Sequence, residues 1–424
     1  MTQHLYEDNS PRHFWRLLAE PEPGPDAWDE AVRAAAAALP LEALASGTQI
    51  ETLLSQTLGE GQFGPDHWKL GSAKRAYYAL KPLLPRSLTG PVKHVYGSHR
   101  ARAGQLGWPI ERRYARFQFD VIRHLLEILD RPSLPFIDFW PGGHRYALVL
   151  THDIETGAGQ SFARQVADLD AAFGFRSSFN FVPERYRLDR DLIDELRARG
   201  FEIGVHGLKH DGRDFNSRSE FMRRASSINR YLKELGAVGF RAPLTHRNPE
   251  WMQALEIEYD GSFFDSDPYE PIAGGTMCIW PFQIGRFIEL PYSLTQDYTL
   301  ASVLRETTPR LWLEKVDFIR AHRGMALLNT HPDYLTRPQT WKIYAEFLSV
   351  MSERADYYHA LPREVARWWR ARAGAASIQE LPGGSLATID SSFCGSITRW
   401  ESASPSDRCA SRTEDARRSA ARIA

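Results

Sequence analysis

Cysteine is scarce in this chain: 424 residues hold three, Cys278, Cys394 and Cys409, and none stands in a CxxC pair. Neither a disulfide framework nor a thiolate zinc site therefore organises the sequence, and the scarcity fits a reducing compartment. Charge of one sign is also lacking. Lys and Arg total 52 against 53 Asp and Glu, a formal net charge of −1. The whole molecule is thus neither a nucleic-acid binder nor an acidic solvating chain. No apolar run reaches the roughly 18 residues that a bilayer span needs. The most apolar early stretch, AAAAALPLEALA (34–45), is interrupted by Pro40 and Glu42. No basic segment followed by an apolar run opens the chain, so no secretion signal is legible. These shortages lead to the expectation of a soluble, cytoplasmic protein. Glycine motifs of the forms GxGxxG and GxxxxGK[ST] open none of the helical stretches, so nucleotide-phosphate binding is not signalled. HExxH is missing too, which argues against a zinc protease of that class.

What is present falls into three parts. Residues 1–135 read as a mainly helical extension. Within it, Lys69, Lys74, Arg75, Lys81, Arg86, Lys93, Arg100 and Arg102 follow one another across 67–110 with no acid between them, interleaved with Trp68, Tyr77, Tyr78 and Tyr96. One reading is contact with an anionic partner such as a membrane headgroup, an acidic glycan or another protein. The other is a solvated face around a packed segment. IERRYARFQFDVIRHLLEILD (110–130) has apolar residues three and four apart and reads as an amphipathic helix. From 136 to 374 strand-like and helix-like stretches alternate, which means parallel βα units, either an open doubly wound sheet or a barrel. Residues 375–424 are rich in Ser, Ala, Arg and Gly and poor in large apolar residues. They are expected to be a disordered tail.

The polar residues gather in one phase of this alternation. YALVLTHDIE (146–155) is an apolar strand that ends in Asp153 and Glu155. Residues two apart on a strand face the same side, so both carboxylates can enter one site. His206 ends the third strand and His210 follows in HGLKH; Arg241 ends the fourth; His331 ends the last. All are C-terminal ends of parallel strands, the face on which (β/α)-barrel sites are built. HxxxH suits a divalent metal, and a carboxylate from the first strand completes a three-ligand set with open positions for water and substrate. Trp251, Trp280, Tyr292 and Tyr298 could stack on sugar rings but read mostly as core.

Taken together, THDIE, HGLKH, FRAP and LLNTH resemble the motifs of the polysaccharide deacetylase family, the NodB-homology carbohydrate esterases, over roughly residues 145–335. The resemblance implies a distorted (β/α) barrel that removes N- or O-acetyl groups with a divalent metal, usually zinc. It assigns the general base to Asp153, which Arg241 orients, and the metal ligands to Glu155, His206 and His210. His331 becomes the general acid. The chain departs from the common T-F-D-D-G form: Ile154 follows Asp153, so the second carboxylate has moved to Glu155, a D-x-E variant. Gly207 stands where Ser or Thr is usual. Leu244 follows the R-x-P motif, and its backbone amide is the expected oxyanion donor. Asp265 and Asp267, in FFDSDPYE, are both candidates for the acid that tunes His331. The implied substrate is an acetylated glycan or a lipid-linked glycan precursor. Rival readings are an allantoinase-like hydrolase of another non-peptide C–N bond and a non-catalytic barrel that binds glycan or a partner.

Overall fold

A computed structural model of the chain describes residues 3–36, 39, 49–69 and 106–394. Most of the basic segment 67–110, and the part of the tail beyond residue 394, lie outside the described residues.

Eleven strands are described: β1 (Ser133–Ile137), β2 (Tyr146–Ile154), β3 (Ser178–Phe181), β4 (Glu202–His206), β5 (Gly239–Arg241), β6 (Tyr259–Asp260), β7 (Phe282–Ile284), β8 (Phe287–Glu289), β9 (Met325–Thr330), β10 (Tyr357–His359) and β11 (Leu386–Asp390). From β2 the order runs β3, β4, β5, β6 and β8, all parallel, while β9 and β10 also pair parallel with β2. Isolated bridges Phe264–Tyr292 and Leu294–Leu328 carry the ring from beyond β6 round to β9. The curled sheet thereby closes into the expected distorted barrel. Every residue of β2 is buried, as a strand covered on both faces requires.

The connecting helices start and stop where local chemistry directs. Thr156, Asp189 and Ser217 accept a backbone N–H at the starts of the helices Gly157–Ala172, Arg190–Ala198 and Arg218–Glu234. Such a cap stabilises a helix by about 1 kcal/mol. Gly174, Gly200 and Gly236 follow the same helices with φ of +81°, +85° and +50°, the left-handed region that glycine enters without a Cβ clash.

Two expectations are corrected. Residues 375–394 are not a disordered tail, because β11 pairs antiparallel with β1 and buries Ile389 completely. The proposed boundary at 135/136 runs through β1, which also bridges Leu17 at Phe136. The N-terminal segment packs into the same core as the barrel. Fully buried Arg372, from the helix Pro362–Gly374, donates to the carbonyls of Phe14, Ile137 and Asp138. Composition misled here because a short strand needs few large residues when it completes another strand's edge. Ile389→Ala should therefore cost about 2–5 kcal/mol. Urea melts would read this, and an unchanged midpoint would show that β11 does not hold the assembly together.

Candidate active site

Strand register brings the site together. The β2–β3 pairing sets Asp153 opposite Asn180, β2–β9 sets Thr151 opposite Asn329, and β4–β5 sets His206 opposite Arg241. Alternation along β2 then divides its side chains. His152 turns away from Asp153 into a fully buried network, 2.7 Å from Thr330 Oγ1 and 2.9 Å from Asp170 Oδ2, while Tyr344 donates to Asp170 at 2.6 Å. That network ties β2 to two of the covering helices and takes no part in the site.

Asp153 faces the barrel mouth and is 2% exposed. Its Oδ1 accepts from Asn180 Nδ2 at 2.8 Å and its Oδ2 from Asn329 Nδ2 at 2.9 Å. Each amide is oriented from behind: Ser178 donates to Asn180 Oδ1 at 3.2 Å, and Thr151 donates to Asn329 Oδ1 at 2.9 Å. Arg241 donates to Thr151 Oγ1 at 3.2 Å, and its Nε lies 3.5 Å from Asp153 Oδ1. The two asparagine amides thus donate directly to the carboxylate, and the hydroxyls behind them fix which way each amide faces. Burial alone would raise the Asp153 pKa, but His206, Arg241 and His331 outweigh it and hold the group below the usual range.

Glu155, His206 and His210 present one ligand atom each, all within 4.8 Å of one another. A pair of imidazoles with one carboxylate is a donor set that suits a divalent ion such as zinc. The protonation states fit a cation as well. His206 Nδ1 donates to the Arg241 carbonyl at 3.1 Å, which leaves Nε2 as the free lone pair. Burial lowers the His206 pKa to about 4, keeping the ring neutral. Glu155 is held well below the usual carboxylate range: burial opposes this, and His210, whose Nε2 is 3.1 Å away, dominates it. Gly207 explains its own departure from Ser or Thr. Its φ is +61°, and a Cβ would lie 2.5 Å from the Pro243 ring.

His331 Nδ1 lies 2.7 Å from Asp297 Oδ1, and the His331 amide donates to Asp297 Oδ2 at 2.9 Å. Burial would lower the His331 pKa, but Asp297 raises it to about 10. This corrects the expectation for Asp265 and Asp267. Asp265 pairs with buried Lys315 at 2.7 Å, and Asp267 Oδ1 accepts from the Tyr269 amide at 2.8 Å. Leu244 and Thr245 form a turn beside the site with φ of +60° and +55°.

Asn180, Asn329, Asp297, Asp333 and Tyr334 escaped the sequence reading. Asp333 Oδ2 accepts from the Glu155 amide at 2.9 Å, and Tyr334 donates to Glu155 Oε2 at 3.3 Å. Asn329 precedes His331 by two on one strand face, a spacing that could have flagged it. Asp297 carries no comparable signal, since it follows an irregular segment. Trp280 and Tyr292 are core, as expected, whereas Tyr298 is partly exposed with its ring 5.0 Å from that of Tyr334. A cavity of about 450 Å³ lined by Arg197, Phe201, Arg363 and Arg367 opens at the other end of the strands, away from all these residues.

No family model matches the sequence, and no curated protein matches it. Solved structures do. A Mycobacterium smegmatis protein designated a polysaccharide deacetylase superposes with a TM-score of 0.47 at 20% identity, covering 55% of this chain and 93% of that one. The allantoinase Puue gives 0.46 at 17% identity, covering 55% and 92%. A Pseudomonas aeruginosa PAO1 protein designated a polysaccharide deacetylase gives 0.46 at 16% identity, covering 56% and 95%.

Proposed function

We propose that this chain is a divalent-metal-dependent hydrolase that removes acetyl groups from N-acetylated sugars of a glycan or glycan precursor. The observation that carries the reading is geometric: at one barrel mouth Glu155, His206 and His210 bring their ligand atoms within 4.8 Å of one another, beside buried Asp153 and the Asp297-paired His331.

Glu155, His206 and His210 would hold the ion. When bound, it would polarise the acetyl carbonyl and acidify the attacking water. Asp153, kept as an acceptor by the two asparagines, takes the water's proton, and Arg241 steadies it by charge. The Leu244 amide stabilises the acyl oxygen as negative charge develops there. His331 carries the proton that the leaving nitrogen needs, so a poor leaving group departs as a neutral amine. The partly exposed Tyr298–Tyr334 pair, with the Tyr334 ring 5.1 Å from that of His331, offers an apolar face to a sugar ring. The motif resemblance supports acetylated glycan as the substrate class. The D-x-E spacing keeps a cyclic-amide substrate as the second reading. Among the described residues no helix is long and apolar enough to cross a membrane.

An acetate-release assay over N-acetylated mono- and oligosaccharides, with added zinc and after chelation, tests the proposal, with allantoin as counter-substrate. Metal-dependent acetate release is expected. Metal-loaded protein that releases none from the whole panel overturns it.

Asp297→Asn should shift the pH profile. His331 works as an acid only while protonated, so activity falls as pH rises through its pKa. That pKa is about 10 with Asp297 in place. Without the carboxylate it drops toward or below the unperturbed value of about 6.5. At pH 8 the variant should therefore lose activity by tenfold or more on the order of the Henderson ratio, and at pH 6 much less. An alkaline limb in the same place as in the parent protein would remove His331 from this role.

A further inference from the structure

The turn that supplies the Leu244 amide is held from outside the barrel. Two successive non-glycine residues, Leu244 and Thr245, sit in the left-handed region, at a cost of about 1–2 kcal/mol each. Such a backbone persists only where its surroundings over-determine it. Thr245 Oγ1 lies 3.4 Å from Glu270 Oε2, and Glu270 Oε1 accepts from Gln296, the neighbour of Asp297, at 2.8 Å. The Thr245 carbonyl accepts from Arg247 Nη1 at 2.6 Å. Arg247 is fully buried, its guanidinium centred 4.8 Å from the Phe264 ring and 5.1 Å from that of Phe263. Its counter-charge is not a barrel residue.

That counter-charge is Glu60, which follows the helix Ile50–Thr57 of the N-terminal segment. Glu60 is 1% exposed and uses both oxygens. Oε2 accepts from Arg247 Nε at 2.7 Å and lies 3.2 Å from His67 Nε2; Oε1 accepts from Arg247 Nη2 and, at 2.6 Å, from the Gly275 amide. Gly274 is pressed against the pair so closely that a Cβ there would lie 1.8 Å from Arg247 Nη2. One carboxylate thus joins three chain segments: the N-terminal extension, the loop after β5 and the loop after β6. A buried guanidinium left without its partner is costly, so Arg247 without Glu60 would turn toward solvent or rearrange.

We propose that Glu60 is a positioning residue of the active site: acting through Arg247, it holds the strained Leu244–Thr245 turn in the geometry that the reaction needs. The role assigned to the turn rests on the function proposed above. The N-terminal segment then serves the chemistry as well as covering the barrel. Neither Glu60 nor Arg247 touches the ligand cluster in this arrangement, so metal binding is separable from the effect.

The test compares full-length Glu60→Ala and the isosteric Glu60→Gln with Trp28→Ala, a core change in the N-terminal segment remote from the turn. Hydrogen exchange is read on peptides spanning 242–248 and 272–276, alongside metal content, kcat and KM. For Glu60→Ala the expectation is faster exchange in both peptides, unchanged metal content, little change in KM and a fall in kcat of up to about a hundredfold, as misplacement by an ångström brings. Glu60→Gln should show the same pattern more weakly, because one carbonyl acceptor survives. Trp28→Ala, assayed where it is still folded, should keep the parental kcat. Parental exchange at 242–248 in both Glu60 variants overturns the proposal, as does an equal kcat loss in Trp28→Ala. If the parent protein releases no acetate, the functional reading fails by itself, and the exchange data still decide whether Glu60 holds the turn.

Discussion

Asp153→Asn is expected to lower kcat by about 10²–10⁴-fold, the usual cost of a lost general base, with about one divalent ion per chain still bound. The size of the effect follows from how the carboxylate is held. Asn180 and Asn329 each aim an NH₂ at one of its oxygens. Both amides are fixed in that sense by Ser178 and Thr151. An asparagine at 153 can satisfy one of them and must set its own NH₂ against the other. The variant therefore loses the proton acceptor and also faces a buried donor–donor conflict of about 1–3 kcal/mol. A thermal melt separates the two losses, since activity can be assayed well below the lowered transition. If Asp153→Asn keeps the parental rate, the base lies elsewhere. If it loses the metal as well, Asp153 belongs to the ligand set.

His206→Ala should abolish stoichiometric metal and, with it, activity. His206 is the most buried of the three candidate ligands, at 3% exposure, and is oriented by its Nδ1 bond to the Arg241 carbonyl. Outer-sphere changes at metal sites cost roughly 10–100-fold in affinity, and removing a ligand from a set of three should exceed that. Metal content after dialysis is the direct measurement. Full occupancy in the variant would sink the assignment of Glu155, His206 and His210. Glu155 is the sharper question, because its side chain is 20% exposed and longer than an aspartate. The structure brings it into the cluster through the Asp333 bond to its amide and the Tyr334 bond to its carboxylate.

Much of this arrangement was legible in the residues. Period-2 alternation at the end of β2 put Asp153 and Glu155 on one face and left His152 and Ile154 to the other. Helix caps and glycine stops set the βα phase, and that phase put His206, Arg241 and His331 at one rim. Asp297 was not legible. It follows β8 by a stretch without regular period, and the bonds of Ser293 and Leu294 to β9 bring that stretch to His331. FFDSDPYE drew attention because it is acidic, yet Asp265 is neutralised by Lys315 from a helix fifty residues on. The ordered part of the tail was missed for a similar reason. β11 is weakly apolar, and its strand character comes from pairing with β1.

Local pattern and phase were thus enough to give parallel βα units and the strand-end rim at which the polar residues gather, while the choice of a barrel and the roles of the six candidate residues were what the motif resemblance implied. The units and the rim depend on spacing along the chain, where side-chain period and turn chemistry act directly. The tertiary structure decided which partner each group has: Asp297 for His331, the two asparagines for Asp153, Glu60 for Arg247. Such pairings join residues 27 to 187 positions apart. No period links them, and only closure of the barrel and docking of the N-terminal segment bring the buried charges within reach of one another.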